Sequence, residues 1–137
     1  MGCPVRVLDS SFLIALFIED DPHHVKAMRD GEAGARAGES WMVPDPILFE
    51  TLTVIRYEQG ASAAKTAFNQ LMSNRNIQIY TFSARERLEI LEMFLASSYS
   101  ISSADASVAF LCRRLGSPAF AYDENLLKVL ANQTLKD

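Results

Sequence analysis

The sequence predicts an α/β fold in which short strands feed helices and assemble into a parallel or mostly parallel sheet covered on both faces. Three observations carry this. Four short apolar runs, Val5 to Leu8, Trp41 to Val43, Ile77 to Phe82 and Pro118 to Tyr122, are separated by helix-length segments rather than by hairpin turns. Most of those segments open on a capping residue or close on glycine. The 137 residues, 49% of them hydrophobic, supply one core and not two, so a single domain over residues 1–137 is expected. Strands joined by helical crossovers then imply right-handed connections and parallel pairing.

Val5, Val7 and Leu8 form a buried strand, and from Ser11 the pattern lengthens into a helix ending near Asp20-Asp21-Pro22. Pro22 opens a second helix that thins into a weak, glycine-bearing stretch around Gly31 to Gly38. After the Trp41 strand, Asp45-Pro46 reads as a cap and a good first helical residue, so a helix runs from Pro46 to about Gln59, where Gly60 stops it. Ser62 to Met72 is a further helix. Beyond the alternating strand at Ile77, Ser83-Ala84-Arg85-Glu86 is a capping box opening a helix to about Ala96. A polar turn from Ser97 to Ser103 precedes a helix from Ala104 to Leu115, stopped by Gly116. Asp123, after the last strand, caps a final helix.

Composition removes several function classes. The longest apolar run, Phe12 to Ile18, is far short of the roughly 20 residues that cross a bilayer, and no signal-peptide pattern precedes it. No membrane partner is expected. Met1-Gly2-Cys3 lacks the rest of an acylation pattern, since Arg6 stands where a hydroxyl residue belongs. Cys3 and Cys112 have neither zinc nor disulfide spacing, which makes a reducing cytoplasm the simplest setting. His23 and His24 point about 100° apart on a helix, with no third ligand spaced to join them. A net charge of −4 lacks the basic footprint of phosphate neutralisation. Arg6, Arg56, Arg113 and Arg114 read more simply as surface cations or ion-pair partners than as phosphate contacts.

Four acids hold the chemical interest. In open α/β sheets ligands bind beyond the carboxyl ends of the strands, where Asp9 and Asp123 stand. Each also makes an excellent helix N-cap, and capping alone accounts for either. With Ser102 as N-cap, Asp105 takes the acidic position of a capping box. Glu50 resists this treatment. It shares a face with Ile47 and Val54 on a largely apolar helix, where a carboxylate is costly to desolvate unless a cation, metal or hydrogen-bond donor meets it. An arginine partner stays open as the alternative. A phosphotransferase using an aspartyl nucleophile also places an acid after its first strand, but needs a second acid two residues on, where Ser11 stands.

Taken in order, LDSSFLIALF at Leu8 to Phe17, PDPILFETLTVIRY at Pro44 to Tyr57, ISSADASVAFLCRRLG at Ile101 to Gly116 and AYDENLL at Ala121 to Leu127 resemble the PIN-domain nucleases, most closely the VapC-type toxins of toxin–antitoxin pairs. The resemblance implies a three-layer α/β/α sandwich with a mostly parallel sheet of four to five strands. It implies that Asp9, Glu50, Asp105 and Asp123 are catalytic acids and ligands of Mg²⁺ or Mn²⁺, with Ser11 as an orienting hydroxyl. It implies an RNA substrate, hydrolysed at phosphodiester bonds, a VapB-type antitoxin that blocks the site, and a homodimer. Carboxylates suit that chemistry, because both ions take hard oxygen ligands and usually keep several waters. Two departures stand out. Ala121 occupies the place of a usual Thr or Ser, and ANQTLKD after Leu130 lacks the apolar run of a final edge strand. Both keep open an alternative, a PIN-like module that binds protein or RNA with little hydrolysis.

Overall fold

In the computed structural model, which describes residues 3–136 and the side chains of residues 3–133, β1 (Val5–Leu8) leads through Asp9 into α1 (Ser10–Phe17). Then come α2 (His24–Arg36), β2 (Ser40–Pro44), α3 (Asp45–Gln59), α4 (Ala61–Ser73), β3 (Ile77–Tyr80) and α5 (Ala84–Ala96). The chain closes with α6 (Ser103–Leu115), β4 (Ala119–Phe120) and α7 (Glu124–Lys136). Four strands form one sheet in the order β3-β2-β1-β4, every pairing parallel, so their carboxyl ends share one edge. The expected α/β sandwich with a four- to five-stranded sheet is therefore present with four strands, all parallel. No fifth follows among the described residues, because the polar tail continues α7. Met1 and Gly2 of the acylation motif lie outside the described residues.

Burial explains the layering. Val7, Leu8 and Val43 of the central strands are wholly buried, as expected where helices cover both faces. From Ala104 to Cys112 every residue of α6 except Asp105 is buried, so this helix is apolar nearly all round. It lies against β1 and β2 and packs on α3, α5 and α7. Ser83 and Ser102 each complete a capping box, and Gly116 ends α6 in the left-handed conformation that only glycine adopts without strain. No described helix is long and apolar enough to cross a membrane.

Three boundaries depart from the sequence expectation. Helix α1 ends at Phe17, and Pro22 sits in a turn whose Asp21 carboxylate accepts the His23 N–H at 2.8 Å, so α2 starts at His24 instead. Pro44, not Asp45, is the N-cap residue of α3. The expected weak stretch from Gly31 is helical through Arg36. Its glycines answer to tertiary contacts: a Cβ on Gly34 would collide with the Glu39 carboxylate, which is buried and held by Arg6 Nε at 3.1 Å and Trp41 Nε1 at 3.2 Å. Arg6 in turn stacks over Phe120 at 4.1 Å, and its guanidinium holds the Glu39 carboxyl below its ordinary range despite burial. A Cβ on Gly31 meets only Phe12 at 3.7 Å and Leu16 at 3.9 Å.

Opposite effects follow for two substitutions on one helix. Gly31→Ala raises stability by about 0.5–1 kcal/mol through helix propensity, whereas Gly34→Ala lowers it by about 1–3 kcal/mol by driving Glu39 off its partners. Urea denaturation of both variants checks the signs.

Candidate active site

Asp9 follows β1 in extended backbone (φ −92°, ψ 161°) and caps α1. Its N–H donates to Phe120 O at 3.1 Å, and its carbonyl accepts the Leu13 N–H at 3.1 Å. One carboxylate oxygen, Oδ2, accepts the Ser11 N–H at 3.1 Å and the Ser11 hydroxyl at 2.5 Å. The other, Oδ1, is shielded from solvent and has no hydrogen-bond partner. At 1% exposure this is a deeply buried carboxylate. Burial pushes its pKa up to about 6; the Ser11 hydrogen bonds pull down, and the Asp105 charge adds to the rise.

Asp105 makes the expected capping box, its Oδ2 accepting the Ser102 N–H at 3.0 Å while Ser102 Oγ accepts the Asp105 N–H at 3.0 Å. Half-buried, its pKa is raised, first by burial and then by the Asp123 charge, against the hydrogen bonds from Ser102. Asp123 is exposed and caps α7, with Oδ1 accepting the Leu126 N–H at 2.9 Å. A run of facing carboxylates, Asp9 to Asp105 to Asp123, thus lies past the carboxyl ends of β1 and β4. Capping and clustering do not compete, because a carboxylate has two oxygens and each hydrogen bond of these caps goes to one of them.

Glu50 stands on α3, which packs against both α1 and α6. Its Oε2 is shielded and without a hydrogen-bond partner. The buried face of α3 is Ile47, Leu48, Thr51 and Ile55, so Glu50 borders it rather than lying at its centre, while Phe49 turns out to solvent. The arginine left open by the sequence is absent: among the described residues none of Asp9, Glu50, Asp105 and Asp123 forms an ion pair with Lys or Arg. Arg6 is engaged by Glu39, and Arg114 by Glu86 at 3.3 Å and Glu89 at 3.8 Å.

Ser11 does more than touch Asp9. Its hydroxyl oxygen accepts the Tyr122 N–H at 2.9 Å, joining the segment after β1 to the one after β4. Ala121 is buried in the core and brings no hydroxyl to the edge. Asp45 is a further acid at the same edge, following β2, that the sequence suggested only as a cap. Its Oδ1 is shielded and unpartnered, and its Oδ2 lies 3.4 Å from Arg87. The signal was in plain view, because Asp45 follows its strand as Asp9 follows β1.

Shielded, unpartnered carboxylate oxygens on Asp9 and Glu50, with the Asp105 charge acting on Asp9 and no ion pair to any of the four acids among the described residues, fit a hard divalent cation. Among the described residues no three His, Cys, Asp or Glu side chains close to the spacing of an ion held by protein ligands alone.

The PIN-domain family model matches residues 6–131. Among solved structures, the chain is similar to the Mycobacterium tuberculosis toxin VapC20, described as cleaving the sarcin–ricin loop, with a TM-score of 0.78 and 22% identity. The match covers 90% of this chain and 93% of that one. No protein with a curated description matches.

Proposed function

This chain belongs to the PIN-domain family, and from that premise we propose that it is a metal-dependent endoribonuclease, the toxin of a VapBC-type pair, acting as a single domain over residues 1–137. The observation that carries the reading is the buried Asp9 carboxylate, held through one oxygen and unpartnered at the other beside Asp105. Asp9 and Asp105 would hold Mg²⁺ or Mn²⁺ directly, with Glu50 and Asp123 as ligands or as groups acting through water. When bound, such an ion supplies a more acidic water and positive charge opposite the charge that develops on phosphorus and the leaving oxygen.

The chain's own residues position and exclude. Ser11, itself fixed by the Tyr122 N–H, locks the Asp9 carboxylate in one orientation. The capping box on α6 does the same for Asp105, so neither group needs to reorganise when substrate arrives. No side-chain nucleophile is called for. An RNA phosphodiester, a VapB-type antitoxin covering the acids, a homodimer and a cytoplasmic setting complete the proposal. The alternative, a PIN-like binding module with little hydrolysis, draws on Ala121 and on the absence of a fifth strand among the described residues.

Purified protein free of antitoxin cleaves structured RNA with Mg²⁺ or Mn²⁺ and stops on addition of EDTA; the sarcin–ricin hairpin attributed to the VapC20 relative is the first substrate to offer. Cleavage that persists in EDTA refutes the metal mechanism. Metal also shows itself without RNA. At about 100-fold over its Kd, Mn²⁺ stabilises the fold by about 2.7 kcal/mol, a Tm rise of about 5–10 °C. Asp9→Asn reduces that rise to near zero in a thermal melt.

A further inference from the structure

Beside the acids stands a second feature that the proposed chemistry does not use. His23 stacks on Tyr122 with ring centroids 4.9 Å apart and planes 21° from parallel, and its side chain is half exposed at 50%. Tyr122 is fixed from several sides. Its ring packs on Phe12 at 6.1 Å, its hydroxyl donates to Asp30 at 2.7 Å, and Lys26 Nζ sits 5.1 Å from its centroid. The turn bearing His23 is equally fixed, by the Asp21 bond to its N–H and by His24 Nδ1 lying 2.6 Å from Ala15 O. Through its own N–H, Tyr122 holds Ser11 and so Asp9, and Asp123 is the next residue.

We propose that the imidazole of His23, backed by Tyr122, is the platform on which an unpaired base of single-stranded RNA stacks as the adjoining phosphodiester enters the acidic cluster. The inference rests on the ribonuclease reading. It also answers the charge problem: Asp21 and Asp30 flank the platform and Lys26 is paired with Asp30 at 3.3 Å, so phosphate neutralisation is weak here. Stacking needs no net positive charge and accepts any base. A plain packing role for the His23 and Tyr122 pair would leave the outer imidazole face without effect on RNA.

The test uses the full chain, with binding of a fluorescent, unstructured RNA oligonucleotide read by anisotropy in EDTA and cleavage of structured RNA, the sarcin–ricin hairpin first, read separately with Mn²⁺. His23→Ala weakens binding and raises KM by about 5- to 100-fold with little change in kcat, and His23→Phe restores both. Parent-like binding by His23→Ala overturns the proposal, as does rescue by His23→Lys but not by His23→Phe, which makes the group a charge. The two readings separate cleanly. Binding that depends on His23 without metal-dependent cleavage sinks the ribonuclease and keeps the platform; EDTA-sensitive cleavage indifferent to His23 does the reverse. A parent chain that neither binds nor cleaves RNA sinks both.

Discussion

Asp105→Asn lowers the kcat for RNA cleavage by about 10³-fold while leaving the fold intact, because the amide oxygen still accepts the Ser102 N–H and only the charge is lost. Asp9→Asn loses activity to the same extent but differs in stability. Burial holds the folded pKa of Asp9 near 6 against an ordinary 3.8. Between those values the folded chain keeps a proton that the unfolded chain has released, so metal-free stability falls as pH rises from about 4 to 6 and stays reduced above. A shift of about 2 units corresponds to about 3 kcal/mol, and the new buried amide N–H gives back about 1–2 of it. Metal-free Asp9→Asn is therefore more stable than its parent by about 1–2 kcal/mol at pH 7.5, with the gain gone by pH 4. Urea titrations at the two pH values measure this. Cleavage surviving either substitution ends the metal-nuclease reading.

Phe12→Ala removes about 3–5 kcal/mol, a large part of the 5–15 kcal/mol typical of a domain. Phe12 is wholly buried, stacks on Phe120 at 4.8 Å and supports Tyr122. The cavity opens directly beneath the segment that carries Ala121 to Asp123, so the loss extends from the core to the site edge. Phe12→Leu, which keeps most of the volume, costs about 1–1.5 kcal/mol. The urea midpoints of the two variants rank them; equal midpoints would mean that the pocket collapses around alanine.

Where the physics is local, the sequence was readable. Ser83, Ser102, Gly60 and Gly116 bound their helices as expected, since caps and left-handed stops are settled within a few residues. Where distant groups decide, it was not. The glycines of α2 looked like a fraying helix because the Glu39 carboxylate that excludes a side chain at Gly34 is bonded to Arg6, 33 positions away. The positions of Asp9, Asp105 and Asp123 at element ends were legible, whereas their facing one another depends on β4 pairing with β1. Glu50 was legible as an acid on a largely apolar helix, and its Oε2 is shielded without a hydrogen-bond partner. Asp45 was missed because one signal, an acid after a strand, served for both a cap and an edge carboxylate.

The bond between Ser11 and Tyr122 spans 111 positions. During synthesis, Asp9 emerges early but its supporting serine has no anchor until β4 and the turn behind it have been translated and docked. The acidic cluster therefore cannot close before the last strand is in place, since Asp123 follows β4 and the Ser11 hydroxyl is held from Tyr122.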